Sequence, residues 1–175
     1  MAFCSNIKEN PTMEVEIGMI YFYYCDTVLG KIGAAEKEGK LIHLSLQLPI
    51  FQEEAVEMET PLLKKVQKEL TEYFLGQRKA FDIPLNPMGT EFQKKVWQAL
   101  LEIPYGETCS YGEIAKRVQN PRAARAVGMA NHHNPIMILI PCHRVVGAKG
   151  KLVGYAGGID KKKVLLHLEK GQAIV

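Results

Sequence analysis

The 175-residue sequence has few cysteines and no long apolar segment, and both absences restrict what the protein can be. Its four cysteines, Cys4, Cys25, Cys109 and Cys142, include no pair at a CxxC spacing and form no regular disulfide framework. The most apolar run, residues 136–140, is far shorter than the ~20 residues of a membrane span. No basic region followed by an apolar one opens the sequence, as a signal peptide would require. We therefore expect reduced thiols, no membrane partner and a cytoplasmic location, or a nuclear one in a eukaryote.

The overall composition is that of a soluble globular protein. Hydrophobic residues make up 47% and charged residues 23%, with no internal repeat and no low-complexity tract. These figures exclude a disordered chain, a collagen and a coiled coil. A chain of this length forms one domain or two small ones, and it buries about 70% of its unfolded surface without needing disulfides or metal.

Charge is divided unevenly between the two halves of the sequence. Residues 1–90 contain 9 basic and 13 acidic residues, a net charge of −4, whereas residues 91–175 contain 13 and 6, a net charge of +7. A basic second half on an acidic first half indicates a polyanionic partner such as nucleic acid. A solvated basic face is the alternative that charge alone leaves open.

The first half of the sequence predicts a sheet followed by a helix. Residues 14–48 have β character, with strands at 28–35 and 41–46 on either side of a turn at 36–40. Thr60 as N-cap and Pro61 at the first helical position predict a helix start. The apolar stripe of this helix is Leu62, Val66, Leu70 and Phe74, and Gly76 ends it.

Residues 82–89 carry two prolines and a glycine and form the best domain boundary. We therefore predict an N-terminal domain over residues 1–88 and a C-terminal domain over residues 89–175.

Capping residues divide the second half into short helices. Two capping boxes open the first two: Thr90 with Gln93, and Ser110 with Glu113. Asn120 followed by Pro121 predicts the start of a third helix, and the short helix before it completes a helix-turn-helix pattern. Asp160 is predicted to cap the last helix, which Gly171 ends.

The third helix is unusually rich in small residues: Ala123, Ala124, Ala126 and Gly128 surround Arg125. A helix that reads base edges in the major groove would carry Asn, Gln and Arg side chains instead. Small residues allow a helix backbone to approach another surface closely. That surface is either a neighbouring helix of the same domain or an external partner.

Cys142 and His143 are adjacent at the end of the apolar run, and they allow two interpretations. A thiolate with a nearby base is a nucleophile, whereas a buried cysteine beside a structural histidine is inert. Neighbouring residues on a strand point to opposite faces, so contact between them needs a turn at Pro141 or a bridging water. Glu169, at the end of the last helix, is disfavoured by the helix dipole; it either has a cationic or hydrogen-bonding partner or is solvated.

A zinc centre is the one metal site that the sequence suggests. Cys4 and Cys25, with a histidine such as His43, supply suitable ligand atoms. Their spacing is loose and no fourth ligand is apparent, so we expect no metal site.

Six blocks in order over residues 89–170 resemble the 6-O-alkylguanine-DNA alkyltransferases, also called methylated-DNA–protein-cysteine methyltransferases. The blocks are GTEFQ with VW (89–97), IPYGET with SY (103–111), AARAVG (123–128), NP with IPCHRV (134–145), GYAGG (154–158) and LLHLE (165–169). The resemblance implies an α/β protein. An RNase H-like α/β domain would precede a mainly helical domain with a helix-turn-helix, winged-helix-like DNA-binding motif.

The resemblance also implies roles for individual residues. Cys142 would be the alkyl acceptor, His143 the base that deprotonates it through a water, and Glu169 the carboxylate that orients this histidine. Asn134 would brace the segment. Tyr111 would rotate the target phosphate and donate a proton toward the leaving guanine.

For DNA and substrate the resemblance implies two further groups of residues. Arg125 would fill the stack left by a flipped base. The remaining DNA-binding residues would be Tyr111, Ala123, Ala124, Ala126 and Gly128. The substrate-binding residues would be Val145, Tyr155, Ala156 and Gly157. The family often has a serine where this chain has Ala156, so a hydroxyl contact to the guanine oxygen is lost.

The implied activity is repair by transfer of one alkyl group from 6-O-alkylguanine, and from 4-O-methylthymine, to Cys142. The partner would be double-stranded DNA containing the alkylated base, which is flipped out through the minor groove. The protein would act once, as a monomer and without a cofactor. A Cys–His hydrolase and a DNA-binding relative that only flags alkylated bases are the two other classes that the residues leave open.

Overall fold

The structure is a computed structural model that describes residues 18–49, 51 and 54–172. Its first half is a four-stranded sheet with one helix packed against it, and its second half is mainly helical. This is the mixed α/β fold with a helical second half that the sequence predicts. Within these ranges no helix is both long and apolar enough to cross a membrane.

The sheet of the first half has the strand order β3-β2-β1-β4. Its strands are β1 (Ile20–Thr27), β2 (Gly30–Lys37), β3 (Lys40–Ser45) and β4 (Ala55–Glu57). β1, β2 and β3 form an antiparallel meander, and β4 runs parallel to β1.

The turn between β2 and β3 is shorter than predicted. Glu36 and Lys37 belong to β2, so only Glu38 and Gly39 connect the strands. Both have positive φ values, 52° and 70°, as a tight two-residue hairpin turn requires. The prediction of a turn over residues 36–40 was therefore wrong at both ends, since Lys40 already belongs to β3.

Helix α1 (Pro61–Phe74) packs on β1 and β2. It begins as predicted, because the Thr60 side chain accepts a hydrogen bond from Leu63 N at 3.2 Å and Pro61 occupies the first turn. Its buried face is shifted from the predicted stripe. Leu63, Val66, Glu69, Leu70 and Tyr73 are buried, whereas Leu62 and Phe74 are only half-buried.

In the described residues, the second half consists of four α-helices, two short 3₁₀ turns and a two-stranded parallel ribbon. The α-helices and strands are α2 (Glu91–Leu101), β5 (Cys109–Ser110), α3 (Tyr111–Arg117), α4 (Ala124–His132), β6 (Val145–Val146) and α5 (Ile159–Glu169). α2, α3 and α4 pack on one another, and the Trp97 indole N–H of α2 donates to Ala130 O of α4 at 2.9 Å. The predicted capping boxes at the starts of α2 and α3 are both present.

Two predicted helix starts in this half were wrong. α4 begins at Ala124, because Asn120 O accepts from Ala123 N at 2.9 Å and the intervening residues form a turn instead of the first helical turn. α5 is capped by Gly158, whose φ of 92° favours glycine, and Asp160 lies in the first turn without a side-chain capping bond.

Strand β3 joins the two halves. Leu44 N donates to Pro135 O at 2.8 Å and Met137 N donates to Leu44 O at 2.8 Å. Near the start of the same strand, Leu41 N donates to Pro84 O at 2.8 Å. The backbone just before Cys142 is thus attached directly to the sheet of the first half.

Candidate active site

Cys142 and His143 lie on a short 3₁₀ turn, Cys142–Arg144, and not on a strand. After its bridge to β3 the chain turns at Ile138, which has a φ of 70°, and Pro141 precedes the 3₁₀ turn. Successive side chains on a 3₁₀ turn are about 120° apart, so the two need not face opposite sides. Cys142 is 6% exposed and His143 is wholly buried.

Asn134 holds this segment in place through three hydrogen bonds. Its Nδ2 donates to Ile140 O at 2.8 Å and to Cys142 Sγ at 3.1 Å, and its Oδ1 accepts from Ile136 N at 3.1 Å. The amide therefore braces the chain on both sides of the bend at Ile138 and donates to the sulfur.

Behind His143 lies a buried network centred on Glu169. His143 Nε2 donates to Glu169 Oε1 at 2.7 Å, and Arg144 donates from Nε and Nη2 to the two carboxylate oxygens at 2.9 and 3.0 Å. Gly106 N and the Tyr73 hydroxyl also donate to this carboxylate. The helix-end glutamate thus has hydrogen-bonding partners, one of them cationic.

Burial and hydrogen bonding compete in this network. Burial opposes ionisation of Glu169, but the bonds from His143 and Arg144 overcome it and hold its pKa at about 2. Burial lowers the pKa of His143, and Glu169 partly offsets that effect. Since Nε2 is bonded to a carboxylate, Nδ1 is the ring nitrogen available to accept a proton. Nδ1 is buried, with no partner among residues that the structure describes.

Lys162 is a residue of the site that sequence reasoning missed. Its ammonium group is wholly buried and donates to the carbonyls of Val145 at 2.6 Å, Val153 at 3.0 Å and Gly154 at 3.5 Å. Burial raises the pKa of the Cys142 thiol, and the hydrogen bond from Asn134 and the charge of Lys162 act against it.

A helical pattern in the sequence could have found Lys162. It stands in the run Lys161–Lys163, which looks like a solvated cluster. However, Lys162, Leu165, Leu166 and Glu169 follow the i, i+3, i+4, i+7 spacing of one helix face, and all four are buried. Arg144 belongs to the IPCHRV block, but the sequence suggested no role for it.

Tyr111 begins α3 and reaches across to the glycine-rich loop before α5. Its hydroxyl donates to Val153 O at 3.1 Å and to Gly154 O at 3.4 Å, two carbonyls that Lys162 also contacts. Burial raises the pKa of Tyr111, and a negative Cys142 would raise it further, so the hydroxyl keeps its proton.

The predicted substrate-binding residues lie around this loop. Val145 is buried in β6, and Ala156 is exposed. The Tyr155 hydroxyl oxygen is buried and has no partner in the described part of the chain. Gly157 is tightly packed, because a Cβ there would lie 2.9 Å from the Tyr155 ring.

Helix α4 uses its small residues on two different faces. Val127 and Ala130 are buried against the domain, and Gly128 packs against the Tyr111 ring. Arg125 and Ala126 are exposed. Ala123 and Ala124, at the start of the helix, are half-buried. Internal packing therefore accounts for one face of α4 and leaves the Arg125 face open.

The other cysteines differ from Cys142 in their surroundings. Burial and the nearby charges of Glu59 and Asp26 raise the pKa of Cys25 to about 11. Burial also raises the pKa of Cys109, which contacts the Glu113 carboxylate at 3.7 Å. Cys142 is the described thiol that has both an amide donor and a lysine acting on its sulfur.

The candidate zinc ligands do not meet in the described residues. Cys4 lies outside them, and no three His, Cys, Asp or Glu side chains cluster within them.

Comparison with known proteins identifies the family. A model of the 6-O-methylguanine DNA methyltransferase ribonuclease-like domain matches residues 19–87, and one of the DNA-binding domain of the same proteins matches residues 91–171. The methylated-DNA–protein-cysteine methyltransferase of Mycobacterium leprae is 46% identical over 158 residues, which cover 89% of this chain and 96% of the relative. The chain belongs to this family.

Other members of the methylated-DNA–protein-cysteine methyltransferase family are also similar to this chain. The methyltransferase of Methanosarcina mazei is 63% identical over 107 residues, or 61% of this chain and 68% of the relative. The crystal structure of Mycobacterium tuberculosis OGT in complex with DNA matches with a TM-score of 0.81 and 45% identity, covering 87% of this chain and 94% of that one. Membership makes this chain a methylated-DNA–protein-cysteine S-methyltransferase of the DNA-repair class.

Proposed function

We propose that this protein repairs double-stranded DNA by moving an alkyl group from 6-O-alkylguanine, and from 4-O-methylthymine, to its own Cys142. The protein acts as a monomer, flips the damaged base out of the duplex through the minor groove, and is consumed by one transfer. The observation that carries the proposal is the hydrogen bond from Asn134 Nδ2 to Cys142 Sγ, with the His143–Glu169 pair directly behind it.

The proposed chemistry begins with the thiol proton. His143 Nδ1 takes this proton through one bridging water, while Nε2 stays bonded to Glu169. Asn134 and Lys162 stabilise the thiolate that results. The cation formed on His143 faces the ionised Glu169. Both charges that the proton transfer creates, the thiolate and the imidazolium, are therefore stabilised.

Alkyl transfer is then an in-line displacement. The sulfur attacks the alkyl carbon, the S–C bond forms, and the C–O bond to the base breaks with its electron pair going to the base. Tyr111 donates its proton toward the base and recovers one from His143, so the net change is one proton lost by the thiol and one gained by the repaired guanine. The raised pKa of Tyr111 keeps its hydroxyl protonated until that step.

Substrate recognition is proposed to use groups around Cys142. Val145 O already accepts from Lys162, and its second lone pair is available to the guanine amino group. The Tyr155 hydroxyl, which has no hydrogen-bond partner among the described residues, supplies a further polar atom. The backbone N–H groups at Ala156 and Gly157 take the place of the missing serine hydroxyl at the guanine oxygen.

DNA is proposed to bind along the exposed face of α4. The second half of the chain has a net charge of +7, which favours binding to phosphates. Ala126 is exposed and small, so it does not obstruct a minor groove about 6 Å wide. Arg125 is exposed beside it and fills the gap that the flipped base leaves. The complex of the M. tuberculosis relative with DNA supports this partner.

The decisive experiment follows a labelled methyl group. Duplex DNA carrying 6-O-[³H]methylguanine is mixed with the wild-type protein and with Cys142→Ser, and the labelled peptide is mapped by mass spectrometry. We expect the label on Cys142 in the wild type and none on the variant, because a hydroxyl is a far weaker nucleophile at neutral pH. DNA binding by Cys142→Ser should persist, since phosphate contacts do not involve the thiol.

Three other outcomes would contradict the proposal. Label on Cys25, Cys109 or Cys4 would move the acceptor elsewhere. Release of free methyl product with repeated turnover would indicate a hydrolase. Binding without any transfer would indicate a protein that only flags damage.

A further inference from the structure

Helix α1, in the first half of the chain, supplies a donor to the carboxylate behind Cys142. The Tyr73 hydroxyl donates to Glu169 Oε1 at 2.7 Å, and the two residues are 96 positions apart in sequence. The side chains of both residues are buried. A residue of the ribonuclease-like half thus touches the network that acts on His143.

The oxygen that Tyr73 contacts is also the one that holds His143. Glu169 Oε1 accepts from His143 Nε2 at 2.7 Å, from Tyr73 at 2.7 Å and from Arg144 Nη2 at 3.0 Å. Glu169 Oε2 accepts from Arg144 Nε at 2.9 Å and Gly106 N at 3.1 Å. An acceptor that is shared among several donors bonds each one less strongly, so Tyr73 and His143 compete for Oε1.

A buried tyrosine hydroxyl commonly finds some partner simply because burial demands one. Two observations distinguish this contact. The hydroxyl reaches the shared oxygen itself and not a backbone carbonyl. Burial and the Glu169 charge also raise the pKa of Tyr73 far above its ordinary value, so the donor stays protonated over any working pH range.

We propose that Tyr73 is a positioning residue of the transfer reaction: its hydroxyl holds Glu169 Oε1 against His143 and limits how strongly the carboxylate draws a proton to that ring. The proposal rests on the proposed role of His143 as the base for Cys142. It gives the first half of the chain a part in the chemistry without any contact to substrate.

The charged and titratable groups around this network come from several elements. Those facing Glu169 are Tyr73 of α1, Tyr105 of the loop after α2, and His143 and Arg144 of the 3₁₀ turn. Those acting on His143 are Glu169, Arg144 and Lys162. Arg144 and Lys162 lower the pKa of His143, and Glu169 raises it. Tyr73 bonds to Glu169, so it acts on His143 through that carboxylate.

Tyr73→Phe tests the proposal through the pH dependence of transfer. Without the hydroxyl, Glu169 bonds His143 more strongly and favours the protonated ring. The ring must be neutral to accept the thiol proton, so the acidic limb of the rate profile should move to higher pH, by about half a unit. The plateau rate should fall by up to about tenfold, because Glu169 loses one of the bonds that orient it.

A second substitution reverses the sign. Site-specific replacement of Tyr73 by 3,5-difluorotyrosine makes the phenol a stronger donor while keeping the ring and the hydroxyl. The acidic limb should then move to lower pH, with the fold unaffected. This variant also tests the proposal if Tyr73→Phe does not fold.

Tyr105→Phe is the matched control. Its ring lies edge-on to Tyr73 with centroids 6.1 Å apart, and among the residues that the structure describes its hydroxyl bonds to Leu168 O, at 3.5 Å, and not to Glu169. It therefore removes a tyrosine hydroxyl at the same interface without removing a bond to Glu169. Its rate profile should match that of the wild type.

The measurement is the single-turnover rate of reaction with benzylguanine, a free-base analogue of the alkylated guanine, at pH values across the acidic limb. The residue that carries the transferred group is mapped at the end. Label on Cys142 in the wild type, with limbs moved in opposite directions by the two Tyr73 replacements, supports the proposal. If the acidic limbs of the two Tyr73 variants coincide with those of the wild type and of Tyr105→Phe, the role of Tyr73 is overturned. The proposed function stays intact in that case. Absence of label on Cys142 in the wild type overturns the proposed function instead.

Discussion

At Cys142, burial and local charge act on the same proton in opposite directions. The thiol is nearly inaccessible to solvent, which raises its pKa, while Asn134 and Lys162 stabilise the ionised form. The pKa of Lys162 is itself lowered by burial, and a thiolate at Cys142 would raise it again. The two groups therefore ionise most easily together, and we expect the charge of Lys162 to be needed for transfer.

Lys162→Met should slow transfer to Cys142 and shift its pH dependence. Removing the ammonium leaves the thiolate less stable, so the rate on benzylguanine near pH 7 should fall on the order of tenfold and partly recover at higher pH. The carbonyls of Val145, Val153 and Gly154 lose a shared donor, so the free energy of unfolding should drop by about 1–3 kcal/mol. Single-turnover rates against pH and thermal unfolding measure both effects.

Lys163→Met is the control for that substitution, since Lys163 is the next residue of α5 and is exposed. It should change neither the rate profile nor the stability by much, because exposed substitutions usually cost less than about 0.5 kcal/mol. If Lys162→Met and Lys163→Met behave alike, Lys162 has no electrostatic role at the thiol.

At the scale of elements, α4 combines a packed face with an open one. Val127, Ala130 and Gly128 serve the domain interior, whereas Arg125 and Ala126 are exposed. A substitution on the open face can therefore change DNA repair without disturbing the fold. This separation makes the proposed flipping step testable apart from the chemistry.

Arg125→Ala should slow repair of duplex DNA strongly and scarcely change the reaction with benzylguanine. Flipping a base costs a few kcal/mol, and the duplex loses the side chain that fills the gap, whereas a free base needs no flipping. The thermal unfolding temperature should hold. Single-turnover rates on both substrates are compared at one salt concentration and saturating protein, because phosphate binding depends on salt.

Arg122→Ala provides the matched loss of charge, because Arg122 is exposed in the turn just before α4. At saturating protein it should leave the duplex rate close to that of the wild type. Equal slowing of duplex and free-base reactions by Arg125→Ala, or equal effects of the two arginine variants on duplex repair, would remove the proposed role of Arg125.

Local sequence signals predicted some elements well and others poorly. Thr60, Thr90 and Ser110 mark helix starts because their side chains bond to the backbone within three residues, which needs no tertiary information. Asn120 and Asp160 carry the same signal but do not cap helices. Near Asn120 the chain makes a turn first, and at α5 Gly158 takes the cap position. At these two helices the type of side chain was therefore not enough to predict the start.

At the scale of the whole molecule, both halves of the chain contribute contacts to the candidate site. Strand β3 holds the backbone before Cys142 through Pro135 and Met137, and α1 contacts Glu169 through Tyr73. The ribonuclease-like half therefore supports the turn that carries the thiol. The net positive charge lies on the other half, where the face of α4 that carries Arg125 is exposed.

Product should accumulate to about one alkyl group per protein molecule and then stop. The groups that act on the sulfur are the Asn134 amide, the Lys162 ammonium and the backbone N–H groups of the turn, and none of them cleaves a thioether. Titration of a fixed amount of protein with excess methylated duplex, followed by counting of protein-bound label, measures the plateau. Continued turnover in a purified sample without added cofactor would contradict single use.

The sequence by itself determined the local chemistry of this protein. The blocks from GTEFQ to LLHLE identify the family, and the capping boxes and the charge division follow from residue type and spacing alone. Only the tertiary structure decided that the charge of Lys162 acts on the Cys142 thiol, that Tyr73 reaches Glu169 and that α4 leaves Arg125 exposed. These contacts join residues far apart in the chain, and burial depends on how whole elements pack, which local spacing does not specify.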